Sequence, residues 1–208
     1  MASIDSLTKG AASYDEASIH PLEEFLSSQI AGEAPYNFNA NKTLVKLYKC
    51  FPKTAKAVNY ASILTLAVQQ FPDMNDFSSL MCLIPEEVQK HVDCSSIINA
   101  AEALEGAKFE RFWKDYDDIG NDNVREGILV VFSQVYQSIE ADVVAKSLDM
   151  TPAQLSDFVA GKAVVESVKD GKVTFISTAM NSKKDLGGAS LKSLISMDAL
   201  TSVMQPPQ

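Results

Sequence analysis

The sequence is poor in the residues on which chemistry usually depends. It holds two histidines, His20 and His91, and three cysteines, Cys50, Cys82 and Cys94. An odd, widely spaced set of cysteines argues against a disulfide framework and reads as free, mostly buried thiols in a reducing compartment. Positive charge is also scarce. Lys and Arg number 18 against 27 Asp and Glu, for a net charge of −9 and a pI near 4.7. A protein that grips nucleic acid by neutralising phosphate shows the opposite sign or a concentrated basic patch. No apolar run approaches the roughly 20 residues that cross a bilayer. Met1-Ala-Ser-Ile-Asp5 lacks the basic-then-apolar order of a secretion signal. A nucleophile elbow, a phosphate-binding glycine loop and a dinucleotide fingerprint are all missing, so neither catalysis nor a cofactor is expected. What the chain does have is apolar material. With 46% hydrophobic and 22% charged residues over 208 positions, it can build one large domain or two small ones.

Much of that material recurs at helical spacing. Pro21 suits a first helical turn, and Leu22, Phe25, Leu26 and Ile30 fall on one stripe that Gly32 ends. Leu44, Leu47, Tyr48 and Phe51 form a second stripe, closed by Pro52. Ala57, Tyr60, Leu64, Val68 and Phe71 form a third, but Val58, Ile63 and Leu66 on its other sides predict a helix covered nearly all round. Phe77, Leu80, Met81 and Ile84 precede Pro85, while Ile97, Ile98, Ala101 and Leu104 precede Gly106. Phe109, Phe112, Trp113 and Tyr116 add an aromatic stripe. About six helices with short loops suit antiparallel pairs stacked as in α-solenoids, although no clear repeat is present.

The polar run Asp117 to Asp122 reads as an elbow. A long helix follows, with Val124, Ile128, Val131, Val135 and Ile139 in register, then a short one with Val143, Val144 and Leu148. Thr151-Pro152-Ala153-Gln154 is a capping box, and Met150 and Leu155 are placed as its hydrophobic staple. That helix stops at Gly161. Two strands, 164–168 and 172–176, flank Asp170-Gly171, whose glycine accepts the positive φ of a tight turn. Helix, helix, helix, hairpin is the order of a winged helix. The expected fold is therefore mostly α, a HEAT-like helical domain followed by a winged helix with a small hairpin wing. Its divisions are a lead-in at 1–14, the helical domain at 15–120, the winged helix at 121–180, and a linker with an amphipathic helix at 181–208.

Five motifs compete with bland readings. The helix at Pro152 would be the recognition helix of a DNA binder, but its one charge is Asp157, and no arginine stands nearby to read guanine. Asp115 to Glu126 matches a calcium-binding EF-hand at loop positions one, three, six and twelve. Ile119 and Asp122 break the pattern at the fifth and eighth. Cys82, His91 and Cys94 have loosely zinc-like spacing without a fourth ligand. Asn41-Lys42-Thr43 is a glycosylation pattern that a cytosolic chain never uses. The terminal stripe of Leu191, Leu194, Ile195, Leu200 and Val203 has two readings: it folds back on the winged helix, or it lies against another subunit.

Together these residues resemble subunit K of eukaryotic translation initiation factor 3. The likeness runs through Gly10, Tyr14, Leu22, Glu23 and Phe25, and then through Tyr36, Asn37, Asn41, Leu44, Lys46, Leu47, Tyr48 and Pro52. Phe109, Phe112 and Trp113 continue it, as do Tyr136, Ile139, Leu148, Gln154, Leu155 and the terminal Ser202 to Met204. Val164 departs from it, since a tryptophan is usual there. The resemblance implies a non-catalytic, cytoplasmic subunit, with a nuclear location left open. It implies a fold akin to the PCI subunits of the proteasome lid and signalosome, and contact with subunit L and, through the complex, the small ribosomal subunit. The winged helix would pair with a paralogous one by strand addition at the 164–176 hairpin, which makes Val173 and Phe175 candidate contact residues. Membership of a lid or signalosome complex, a nucleic-acid-binding winged helix and a calcium sensor are the rival readings.

Overall fold

A computed structural model describes residues 4–182. Its elements run α1 (Ile4–Leu7), α2 (Ile19–Ile30), α3 (Phe38–Cys50), α4 (Ala57–Val68), α5 (Asn75–Met81), α6 (Glu86–Gln89), α7 (Val92–Glu105) and α8 (Phe109–Tyr116). Then come α9 (Asp122–Val135), β1 (Ser138–Glu140), α10 (Ala141–Ser147), α11 (Pro152–Val159), β2 (Val165–Lys169) and β3 (Lys172–Phe175). Short 3-10 turns at Gly10–Tyr14, Glu16–Ser18 and Pro52–Thr54 join the early helices. The mostly helical architecture expected from the periodicity, an array followed by a winged helix, is the one observed.

The array stacks helices both consecutive and distant in sequence. Helix α2 packs on α3 and α4, α4 packs on α7, and α7 on α8. Leu22, Leu26, Leu44, Leu47, Ile63, Leu64 and Leu104 are all sealed in the shared core. Two polar clusters fix the pairing. The buried amides of Gln29 and Asn41 bond reciprocally, with Gln29 Nε2 donating to Asn41 Oδ1 at 2.9 Å. Gln29 Oε1 also accepts from the Asn37 backbone N–H at 2.8 Å. In the second cluster, Tyr48 Oη and Lys56 Nζ both donate to Glu23, and Asn59 Nδ2 donates to Tyr48 Oη at 2.6 Å. The first ties α2 to α3, and the second ties both to α4.

The elbow between α8 and α9 is a packed joint. Ile119 is buried, and its carbonyl accepts from Gln69 Nε2 at 3.0 Å. A Cβ at Gly120 would stand 2.1 Å from the Trp113 ring, so only glycine lets the loop lie on that indole. At Gly127 a Cβ would reach 2.3 Å from the Phe71 carbonyl oxygen, which brings α9 against the turn after α4. Phe71, Phe109, Phe132 and Tyr136 then form a chain of ring contacts from the array along α9. Helix α9 is thus common to the array core and the winged helix.

Several details correct the sequence reading. Residues 4–14 are helical turns, with Ile4 and Leu7 packed at the core edge, where a loose lead-in was expected. Helix α6 is an extra turn beyond Pro85. Helix α9 ends at Val135, and Ile139 belongs to β1, because pairing with Val173 draws Tyr136 and its successors into extended backbone. Cys50 and Cys82 are exposed, and only Cys94 is buried. Ile30 and Val58 are also exposed, so α4 is not covered all round.

Candidate docking surface

The winged helix is assembled by local chemistry. The Thr151 Oγ1 accepts from the Gln154 backbone N–H at 3.4 Å, and Gln154 Oε1 accepts from the Thr151 N–H at 2.9 Å. This completes the capping box and starts α11, while Leu155 is buried beneath it. Asp170 and Gly171, at φ of 51° and 70°, supply the two left-handed residues of a type I′ turn, which matches strand twist. The sheet order is β1-β3-β2, all antiparallel, with a register irregularity between Val165 and Ser167.

That order decides where a partner strand can add. Strand β3 is central, so its hydrogen-bonding sides are both taken. Val173 and Phe175 lie on β3 with their side chains sealed into the core, at 0% and 2% exposure. In this chain their side chains face inward, on the strand that packs against α10. The open edges are β1 and the longer β2, which each pair with β3 alone among the described residues. Glu166, Lys169 and the half-exposed Val168 mark the β2 edge. The other five candidates, Leu191, Leu194, Ile195, Leu200 and Val203, lie outside the described residues.

Helix α11 presents Ala153, Gln154, Ser156 and Asp157 to solvent. None is cationic. Lys162, past the C-terminal end of α11, is bonded to Glu126 and lies 4.8 Å from the Phe158 ring, and Lys114 and Lys146, which share a pocket with Gln154, stand there with Glu110 and Asp149. The exposed face of the would-be recognition helix itself therefore carries no cationic side chain to meet phosphate.

The calcium-like stretch is not one loop here. Its first residues end α8 and its last five begin α9, Ile119 is buried, and Glu126 is engaged by Lys162. Of the zinc-like set, Cys94 is sealed in the core, while Cys82 and His91 are exposed, with His91 Nδ1 3.5 Å from Asp93. Among the described residues no group of three or more His, Cys, Asp or Glu could hold a metal ion. Asn41 of the glycosylation pattern is buried against Gln29. The titratable groups that shift are structural in their contacts. Burial pushes the phenols of Tyr36 and Tyr48 up, helped by Asp76 and Glu23, and burial raises the Cys94 thiol. For Glu23, burial pulls upward, but hydrogen bonds from Lys56 and Tyr48 and the Lys56 charge outweigh it, so its carboxyl is held low.

Two features escaped the sequence reading. At the joint, the Arg125 guanidinium lies 4.5 Å from the Trp113 ring, and its Nε donates to the Leu148 carbonyl at 3.1 Å. Trp113 Nε1 donates to the Ser147 carbonyl at 2.9 Å, so one indole binds α8 to α10. Beyond the wing, buried Asn181 donates through Nδ2 to the carbonyls of Ser133 at 2.7 Å and Ile176 at 2.9 Å. Its Oδ1 accepts from the Thr178 N–H at 2.7 Å. Asn181 thereby pins the chain after β3 to the end of α9. Val135, Tyr136, Ile176 and Met180 stand exposed around this pin. A polar amide 48 residues from its partner on α9 carries no local signal of such a role.

An array of short helices that shares one helix with a winged helix defines the structural class of this chain. The sequence profile described as the CSN8/PSMD8/EIF3K family matches residues 55–163, more than half of the chain. The chain belongs to that family. Among its relatives is eukaryotic translation initiation factor 3 subunit K of Dictyostelium discoideum, 33% identical, covering 84% of this chain and 74% of that protein. The proteins of that name from Mus musculus and Xenopus tropicalis are 28% and 26% identical, each over 100% of this chain and 96% of its own length. No helix among the described residues is long and apolar enough to cross a membrane.

Proposed function

We infer that this chain is a subunit of eukaryotic translation initiation factor 3 and serves translation initiation in the cytoplasm through protein–protein contacts, without a reaction of its own. The observation that carries this reading is relatedness along nearly the whole chain to proteins bearing that subunit's name, in a fold whose conspicuous surface features are docking features. Residues 15–120 act as a rigid flank, and residues 121–180 as the docking head. The head meets a paralogous winged helix, that of subunit L, by strand addition at β2, the longer open edge. The terminal segment, with Leu191, Leu194, Ile195, Leu200 and Val203, joins helices of neighbouring subunits, and the small ribosomal subunit is reached through the complex.

Affinity capture of the full chain followed by mass spectrometry tests the reading. Initiation-factor subunits, with subunit L foremost, are the expected catch. Recovery of proteasome-lid or signalosome subunits in their place would refute it.

A further inference from the structure

A groove lies where the array meets α9. Phe71, Met74, Phe109 and Val131 make its apolar walls, with Glu105 and Gln134 on its rim, and it encloses about 390 Å³. Its α9 wall, Val131 and Gln134, is followed directly by Val135, which is 62% exposed, and Tyr136, Ile176 and Met180 are exposed as well. Left uncovered, these residues form an apolar surface of the kind that usually marks a contact. The chain itself arrives at this surface, because Asn181 is bonded to Ser133 and Ile176 at its edge. Ser133 lies on α9 between Val131 and Gln134 of the groove wall, so the last described residues are fastened to the helix that forms that wall.

We propose that in the free subunit the segment 191–203 of this same chain lies along the groove, covering Val131, Val135 and the Phe71 loop with Leu191, Leu194 and Ile195. Reach allows it, since the eight residues 183–190 extend to at most about 26–29 Å. Length matches as well. Thirteen residues of helix span about 20 Å, and the fourteen residues of α9 span about 21 Å. One charge is complementary. Segment 191–203 holds a single lysine, Lys192, beside Leu191, and the groove rim carries the exposed Glu105. The segment that joins neighbouring subunits in the assembly is thus parked on its own subunit beforehand, and assembly displaces it.

The test uses the isolated full-length chain at low micromolar concentration. Carbodiimide coupling, which links a carboxylate to an amine only in direct contact, is expected to join Lys192 to Glu105 within the monomer. Hydrogen exchange is the second readout. Leu194→Asp with Ile195→Asp, or separately Val135→Glu, should speed exchange at 131–136 and at the 71–74 loop about tenfold, as local opening of a packed face does. The same substitutions should leave α4 unchanged. A crosslink seen only between chains, growing with concentration, would hand the groove to a second copy and overturn the proposal. So would no crosslink together with exchange that ignores the substitutions. Because both readouts need no partner, their failure is separate from failure of the capture experiment.

Discussion

Between Ile19 and Tyr116 the helices are cross-linked by polar side chains far apart in sequence, whereas between Ala141 and Phe175 the chain is shaped by groups acting on their own turn. Gln29 meets Asn41 across two helices, and Glu23 gathers Tyr48, Lys56 and Asn59 from two more. In the winged helix the corresponding work falls to Thr151 with Gln154, three residues apart, and to the adjacent pair Asp170 and Gly171. The array could otherwise pair its apolar faces in several ways, since leucine-rich stripes discriminate poorly among partners. Buried amides resist any arrangement that leaves them unsatisfied. The winged helix needs less of this, because its turns already dictate direction.

The same contrast explains what could be read without a structure. The capping box, its staple and the hairpin turn are short-range patterns, and the spans of α11, β2 and β3 follow from them to within a residue or two, whereas the end of α9 and strand β1 do not. Helix spans in the array were readable from periodicity, but the fate of single faces was not. Ile30 and Val58 fit their stripes and are exposed, because which neighbour covers a stripe is a long-range fact. Within β3, Val173 and Phe175 alternate with polar neighbours, a pattern that fits an inward face as well as an outward one, and the structure turns both side chains inward. The central place of β3 was hidden because β1, three residues long, sits after a helix whose apolar period runs on through Ile139. Asn181 could not be found locally, since its partners lie on α9 and at the end of β3.

The largest expected effect comes from the array's amide pair. Gln29→Ala leaves buried Asn41 and the Asn37 N–H without partners, and should cost about 2 kcal/mol. In a chain of this size that lowers the melting temperature by roughly 4–8 °C. Asn41→Ala should cost a similar amount, and the double variant much less than the sum, because each residue is the other's partner. Additive losses would break the comparison, since the two amides would then not be acting as one lock.

A smaller loss is expected in the winged helix. Thr151→Ala removes the cap of α11 and should cost about 1 kcal/mol. Hydrogen exchange should speed up in α11 and leave α2 to α4 unaffected, the mark of a local device. Spread of the effect into the array would mean that the α9 joint transmits strain, and that the two regions are less independent in their construction than their contacts imply.

The smallest effect sharpens the contrast through pH. Glu23 is held below its ordinary value of 4.5, chiefly against the pull of burial, by bonds from Lys56 and Tyr48. A carboxylate whose folded value is depressed adds stability above its unfolded value and loses it as pH falls through the folded one. Glu23→Gln keeps an acceptor for Tyr48 but removes the charge facing Lys56. The melting-temperature gap between wild type and this variant should therefore be widest near neutral pH and should close on acidification below about pH 4.5. The Thr151→Ala gap, which involves no titrating group, should stay constant over the same range. If the Glu23→Gln gap were also flat, Lys56 would be contributing as a hydrogen-bond donor and not as a charge, and the α2, α3 and α4 cluster would belong with the neutral amide lock beside it.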